Sequence, residues 1–463
     1  MPADCTAHSL LYDVPTLSVP SFSLQTPGAP QAPSTRMGPN SKPEGFLRGS
    51  LWFAHTHLAT TIPATGKSCQ GIKEPPVVLD EPNITRRACD NHGRSCSLHV
   101  RMSSSQRASY FMIETLDGYG DENNLYPFLH LLPDGNLFVF ANKRSILLDY
   151  KRNRVLKEFP VIPGEFKRNY PSTGSSVLLP LRLNGTDFPD AEVMVCGGAP
   201  HGAFNLSDKL RVFVSASNTC GRLRVTDPEP QWVMEEMPMP RIMSDMLLLP
   251  TGDVILINGA MNGTAGWEDA TNPAYHPVLY RTDGLHSRRT RFMVLSPSRI
   301  PRMYHSSAVL LADGRILVGG GNPHPKYNFT AHPFPTELSL EAYHPYYLYP
   351  RLSPQRPSIV TVESKGMTVL YRQAFSVTFV LKLYRTERMI SVALMAPSFT
   401  THSFAMNQRM VFLEVAELEQ LSVFTYKITA TGPPTATVAP PGYYMLFVVH
   451  AAIPSHAVWV KVQ

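Results

Sequence analysis

The chain has 463 residues, 43% hydrophobic and 17% charged, enough for two or three domains with large cores. Its net charge is +6, yet no dense Lys/Arg run interleaves with aromatics, so nothing marks a nucleic-acid surface. No apolar run approaches the roughly 20 residues a membrane-spanning helix needs, and 43 prolines with 29 glycines favour short strands and turns over long helices.

Met1 is not followed by a basic stretch and an apolar core, so the expectation is a chain without a signal peptide. Residues from about 20 to 112 show few period-2 runs and scattered Ser, Pro, Arg and His. Taken alone, such a segment reads as a disordered linker. From about residue 113 a repeat begins: an approach segment, an apolar strand, a turn, then a second apolar strand ending in small residues. The copies are Leu125 to Asn142, Tyr170 to Ala199, Arg241 to Ala260, and a fourth beginning at Tyr304. Asp134-Gly135, Thr251-Gly252 and Asp313-Gly314 supply the positive φ of tight hairpin turns. The terminal Gly-Gly or Asn-Gly pairs allow close backbone approach. Copies recur every 50 to 70 residues or so, near the kelch period of about 50. One such unit cannot bury both faces of its sheet, so several must stack. Four blades of a β-propeller are therefore expected within 113–350.

Residues 354–463 read differently. S-I-V-T-V, F-S-V-T-F-V-L, M-I-S-V-A-L, Y-K-I-T-A-T and Y-Y-M-L-F-V-V alternate apolar and polar positions, separated by turns such as Pro440-Pro441-Gly442. This predicts an immunoglobulin-like β-sandwich. The fold class is thus all-β.

The six cysteines form no CxxC pair and no zinc spacing. Cys196 and Cys220 could close a loop as a disulfide or stay as two buried thiols. Asn184, Asn205, Asn262 and Asn328 head N-x-S/T triplets, which suit a secreted glycoprotein. His130, near a strand, reads as structural, and the run E-E-M-P-M-P-R-I-M as packing between blades. The pair Tyr304-His305 stands just ahead of a strand, and His402 lies about a hundred residues later in the other domain. A phenol and imidazoles can ligate and redox-couple copper, which favours tetragonal N,O ligation.

Residues 113–463 carry N-L-Y-P-F-L-H-L-L-P-D-G-N-L-F, C-G-G-A-P-H-G-A-F, E-E-M-P-M-P-R-I-M-S-D-M, P-R-M-Y-H-S, F-P-T-E-L, T-H-S-F and P-P-G-Y-Y-M in this order. In this series the chain resembles the plant glyoxal oxidase-like aldehyde oxidases, relatives of galactose oxidase. The resemblance implies a seven-bladed propeller, incomplete here, followed by the sandwich. It implies one copper ion and oxidation of aldehydes such as glyoxal or methylglyoxal by O2, giving carboxylic acid and hydrogen peroxide. Carried over by motif, Tyr304 is the axial ligand and catalytic base, and His305 and His402 are equatorial ligands. The small aldehyde and O2 are the implied partners, with no nucleic acid and no membrane. The intact family implies a secreted or cell-wall monomer.

One departure is serious. The family's cross-link cysteine lies in T-W-C-S-S-G and its radical tyrosine in W-Y-A/S-T-N-Q, and neither motif occurs here. Residues 4–19 match an early propeller blade, so residues 1–21 read as a fragment of one. Codons for Gln25 to Ala32 exist that spell D-T-W-C-S-S-G two bases later. Codons for Val77 to Arg87 exist that spell W-Y-S-T-N-Q-I-L-P-D-G one base later. Residues 22–112 are therefore expected to be a scrambled segment, out of frame over about 22–110, in a chain truncated at its N-terminus. The thioether radical cofactor is then absent and the oxidase inactive. The alternative is a non-catalytic kelch-type propeller that binds a protein or a glycan.

Overall fold

The computed structural model describes residues 84–89 and 96–100 by their backbone, and 111–117, 122–183, 185–282, 290–384, 390–416 and 418–463 in full. The fragment 1–21, most of the segment 22–112 and Asn184 lie outside the described residues. Within that segment two strands, Ile84–Cys89 and Cys96–Val100, pair antiparallel.

Four antiparallel meanders follow. The first sheet runs Phe128–Leu131, Leu137–Ala141, Arg144–Asp149 and Arg154–Glu158. The second runs Ser175–Leu178, Glu192–Cys196, Thr219–Arg224 and Val233–Glu236. The third runs Asp245–Leu248, Val254–Ile257, Val278–Tyr280 and Phe292–Val294. The fourth has three strands, Ser306–Leu310, Ile316–Gly320 and Leu340–Tyr343. The expected hairpin turns are in place, with Gly135, Gly252 and Gly314 at φ 86, 92 and 88°. Four blade-like sheets are described; a closed ring is not.

A recurring device ties the second, third and fourth sheets to the segments that lead into them. Arg168, Arg241 and Arg302 are buried, each ahead of a first strand. Arg168 donates to the Gly197 and Thr219 carbonyls. Arg241 donates to Asn258 and His276, both at 2.6 Å, and Arg302 to Gly320 and Ser339, both at 2.9 Å. These carbonyls lie at or beside the ends of later strands. A guanidinium with five donors satisfies several at once. Close approach demands glycine nearby: a Cβ on Gly197, at φ 71°, would stand 2.2 Å from the Arg241 carbonyl oxygen.

In the second sheet Cys196 and Cys220 stand directly opposite one another in register, and their sulfurs are bonded. The disulfide is thus the member of the open pair that forms. Met237 packs in the core shared by the second and third sheets, as its run suggested. His130 is buried and shares a 2.8 Å hydrogen bond with the Ser176 hydroxyl.

The C-terminal region is a two-sheet sandwich. One sheet orders Ser358–Glu363, Ala374–Val380, Thr425–Thr431 and Glu419–Gln420. The other joins Thr368–Val369, Val458–Val462, Gly442–His450, Ile390–Ala396 and Arg409–Phe412. Phe375, Val377 and Phe379 alternate inward against Val392, Leu394, Leu446 and Val448. That alternation follows from the two-residue period of a strand. The second sheet of the sandwich is extended by Leu181–Arg182 from the meander region, parallel to Arg409–Phe412. The two regions therefore share backbone hydrogen bonds as well as a common core.

Candidate metal centre

Two turns bring the candidate side chains together. The first lies between the third and fourth sheets. Ser306 N–H and Oγ both donate to the Met303 carbonyl, at 3.2 and 2.7 Å, closing a turn with Tyr304 and His305 at its centre. His305 sits at φ 63°, a place usually taken by Gly or Asn. Asn322 N–H donates to the Tyr304 carbonyl at 2.8 Å, so the turn is held from the far end of the hairpin too.

The second turn belongs to the sandwich. Phe399–Thr401 and Phe404–Met406 form a hairpin with His402 and Ser403 at its tip, at φ 47 and 64°. Two successive positive φ values make a type I′ turn, normally the preserve of Asn-Gly. This hairpin reaches the first strand of every meander. Phe404 packs on Phe128 at 5.3 Å. Ser175 Oγ donates to the Ser403 carbonyl at 2.6 Å. The Gln408 amide bridges Met246 and Leu248, at 3.0 and 2.8 Å. Thr400 Oγ1 donates to the Ala308 carbonyl at 3.3 Å. Strained backbone of this kind concentrates at functional sites.

His402 thereby enters a cluster of aromatic residues. Its ring stacks on Tyr126, centroids 3.5 Å apart and 10° from parallel, and meets Tyr170 edge-on at 5.6 Å. The Tyr170 and Tyr304 phenol oxygens stand 3.3 Å apart, and the Tyr304 and His305 rings 4.1 Å apart. His402 Nδ1 is engaged by the Thr401 hydroxyl at 2.7 Å, which turns Nε2 away from that contact. His305 is exposed at the mouth of the cluster, whereas Tyr126, Tyr170, Tyr304 and His402 are half-buried. The cluster is therefore open to solutes on one side.

The electrostatics agree with that crowding. Desolvation, aided by the nearby His305, lowers the His402 pKa to about 4. Desolvation also lowers that of His305. Burial, and next the neighbouring Tyr170, pushes the Tyr304 phenol well above its usual value. Burial raises Tyr170 and Tyr126 as well. Asp269, raised to about 6 mainly by burial, adds negative charge that works against ionising Tyr304 and Tyr170. Neutral imidazoles are metal ligands at neutral pH, while the phenols must give up protons to become so.

Among the described residues no group of three or more His, Cys, Asp and Glu side chains converges. The Tyr304, His305 and His402 set is instead an imidazole and phenol set, which suits copper. Sequence reasoning missed Tyr126, Tyr170 and Asp269. The signal was present for the two tyrosines: both lie in approach segments, as Tyr304 does.

Residues 97–347 match the family described as Glyoxal oxidase N-terminus, and residues 356–462 match Galactose oxidase-like, Early set domain. The chain belongs to the glyoxal oxidase family. The match begins at residue 97, inside the segment read from sequence as scrambled. The chain is 44% identical over 346 residues to Aldehyde oxidase GLOX1 of Arabidopsis thaliana, covering 74% of this chain and 55% of that one. It is 46% identical over 339 residues to Aldehyde oxidase GLOX of Vitis pseudoreticulata, covering 73% of this chain and 62% of that one. The chain thus spans little more than half the length of these relatives. A solved fungal alcohol oxidase in complex with copper overlays with a TM-score of 0.48 at 20% identity, over 73% of this chain and 76% of that chain. That overlay is too slight to bear on the fold. No described helix is long and apolar enough to cross a membrane.

Proposed function

We propose that this glyoxal oxidase family member holds one copper ion through Tyr304, His305 and His402. The chemistry we assign to the intact protein is oxidation of small aldehydes such as glyoxal or methylglyoxal: aldehyde, water and O2 give carboxylic acid and hydrogen peroxide. It would act outside the cell as a monomer. Copper, when bound, supplies one-electron redox chemistry, whereas the aldehyde must lose two electrons. In this reading Tyr304 accepts the substrate proton, and the surroundings that raise its pKa make its oxygen the stronger base. His305 and His402 would hold the ion, and Tyr126 fixes the His402 ring by stacking on it. The sequence holds neither T-W-C-S-S-G nor W-Y-A/S-T-N-Q, so the partner that would store the second electron is missing and this chain should not turn over.

The observation that supports the reading best is the approach of His402, on a sandwich hairpin, to Tyr304 and His305 on a meander turn. The test is to load the purified chain with one equivalent of copper, remove the excess, and measure retained metal and aldehyde-dependent peroxide. The expected result is one copper per chain, lost in the His305→Ala/His402→Ala double variant, with no peroxide above the copper-free level. Copper retained equally by the double variant would refute the site. Copper-dependent peroxide release would refute the inactivity.

A further inference from the structure

A cleft of about 490 Å³ opens between the third and fourth sheets, and none of its lining residues belongs to the aromatic cluster around His402. That volume falls in the range of small-molecule sites. Its apolar lining includes Ile257, Ala274 and Val318, all buried. Its polar side is built on the Glu341 carboxylate, which accepts from Arg302 Nε and Nη2 at 3.1 and 3.0 Å and from Ser298 Oγ at 3.1 Å. The buried Arg302 spends its other donors on the Gly320 and Ser339 carbonyls and the Ser339 hydroxyl, so the carboxylate is held in place. A carboxylate has about four acceptor sites, and Oε1 takes part only in the Ser298 bond, which leaves it room for a ligand donor.

Two segments frame the mouth. Ser298 N–H donates to the Tyr275 carbonyl at 3.0 Å, and His276 Nδ1 meets the Leu295 carbonyl at 3.0 Å, so the segments are tied together before any ligand arrives. Tyr275 and Arg299 are exposed on these segments, and half-buried Tyr343 lines the cleft from the fourth sheet. Their phenol and guanidinium groups have no hydrogen-bond partner among the described residues. Burial raises the Tyr343 phenol to about 12, so it stays a donor at neutral pH. Glu341 answers the charge of Arg302, and Arg299 leaves one positive charge over.

We infer that this cleft binds an acidic saccharide of one or two rings, of the uronic acid type. Arg299 takes the carboxylate, Glu341 and the two phenols take ring hydroxyls, and the apolar lining takes the C–H face of the ring. One guanidinium matches one carboxylate in a two-pronged contact. The fixed Glu341 charge repels a polyphosphate. Binding is non-covalent and needs no copper, so it stands apart from the oxidase reading.

The test is a nuclear magnetic resonance titration of the copper-free full chain with the methyl glycosides of galacturonic and glucuronic acid. Their neutral parents, methyl galactoside and methyl glucoside, and acetate serve as comparisons. At least one acid should bind saturably with Kd of about 1 mM or tighter. Its neutral parent should bind about tenfold more weakly, for want of the charged contact, and acetate should not saturate. Arg299→Ala should bring the acid down to the level of its parent. Tyr275→Ala and Glu341→Gln should weaken acid and parent alike. Should Glu341→Gln lower the urea midpoint, the two variants at exposed positions, Arg299→Ala and Tyr275→Ala, decide alone. No saturable binding of either acid up to about 10 mM, equal affinity for acid and parent, acetate bound as tightly as the acid, or an affinity unmoved by both Arg299→Ala and Tyr275→Ala would overturn the inference.

Discussion

The third and fourth sheets are built from the same repeat and are buried very differently. In the third, Asp245–Leu248, Val254–Ile257 and Val278–Tyr280 are buried at every position. In the fourth, Ser306–Leu310 and Ile316–Gly320 mix buried with half-buried or exposed positions, and Leu340–Tyr343 alternates exposed and half-buried, with Leu340 at 41%. The third sheet has packed neighbours on both faces and the hairpin residue Gln408 on its first strand. Among the described residues the fourth has three strands, and no strand pairs with the outer edge of Leu340–Tyr343. A strand-turn-strand motif therefore specifies a hairpin, but its neighbours decide whether that hairpin becomes core. The sequence difference follows: V-I-L-I in the third against I-L-V-G-G in the fourth.

The contrast is sharpest in its response to pH. Asp245 opens the first strand of the third sheet, where Ser306 opens that of the fourth. Burial raises the Asp245 pKa to about 7, offset only in part by Asn258 Nδ2 donating to it at 2.7 Å and by the backbone at Ala308. The folded chain holds this proton to higher pH than the unfolded chain, so stability falls as pH rises from about 4 to about 7 and then levels. Asp245→Asn should remove that fall and raise stability at pH 7, by far the largest single effect expected. Urea midpoints across pH 4–8 measure it, and an unchanged slope would place Asp245 in water.

Truncating Leu256, fully buried in the third sheet, should cost about 3 kcal/mol in the urea unfolding free energy. The same change at half-buried Leu317 in the fourth should cost about 1 kcal/mol. Equal losses would contradict the contrast. In the second sheet, Cys220→Ser opens a loop of sequence separation 24. It should lower stability by about 3 kcal/mol, seen as an earlier midpoint that reducing agent reproduces in the wild-type chain. Gln408→Ala leaves the Leu248 N–H and the Met246 carbonyl without their side-chain partner. A loss of about 2 kcal/mol is expected, read by faster hydrogen exchange confined to the Asp245–Leu248 strand.

The hairpins were legible because Asp-Gly and Thr-Gly need positive φ and sit between apolar runs. The later strands of each meander were not, since Arg154–Glu158 and Leu340–Tyr343 carry mixed residues and no fixed turn. Five sandwich strands were legible from alternation alone. The Phe399–Met406 hairpin was not, because its tip is His-Ser where the rule expects Asn-Gly, and tertiary contacts with four other strands hold it. Tyr304, His305 and His402 came from motif resemblance. Tyr126 and Tyr170 escaped because a tyrosine before a strand is ordinary until the fold shows what it faces.

One assembly carries the proposed chemistry: a meander turn and a sandwich hairpin that would deliver their side chains to a common ion. Crystals of the copper-loaded chain, measured at the copper absorption edge, test it directly. The predicted result is one anomalous peak within about 2.0–2.2 Å of a His305 nitrogen, a His402 nitrogen and the Tyr304 oxygen. A peak elsewhere, or none beside these three side chains, would contradict it.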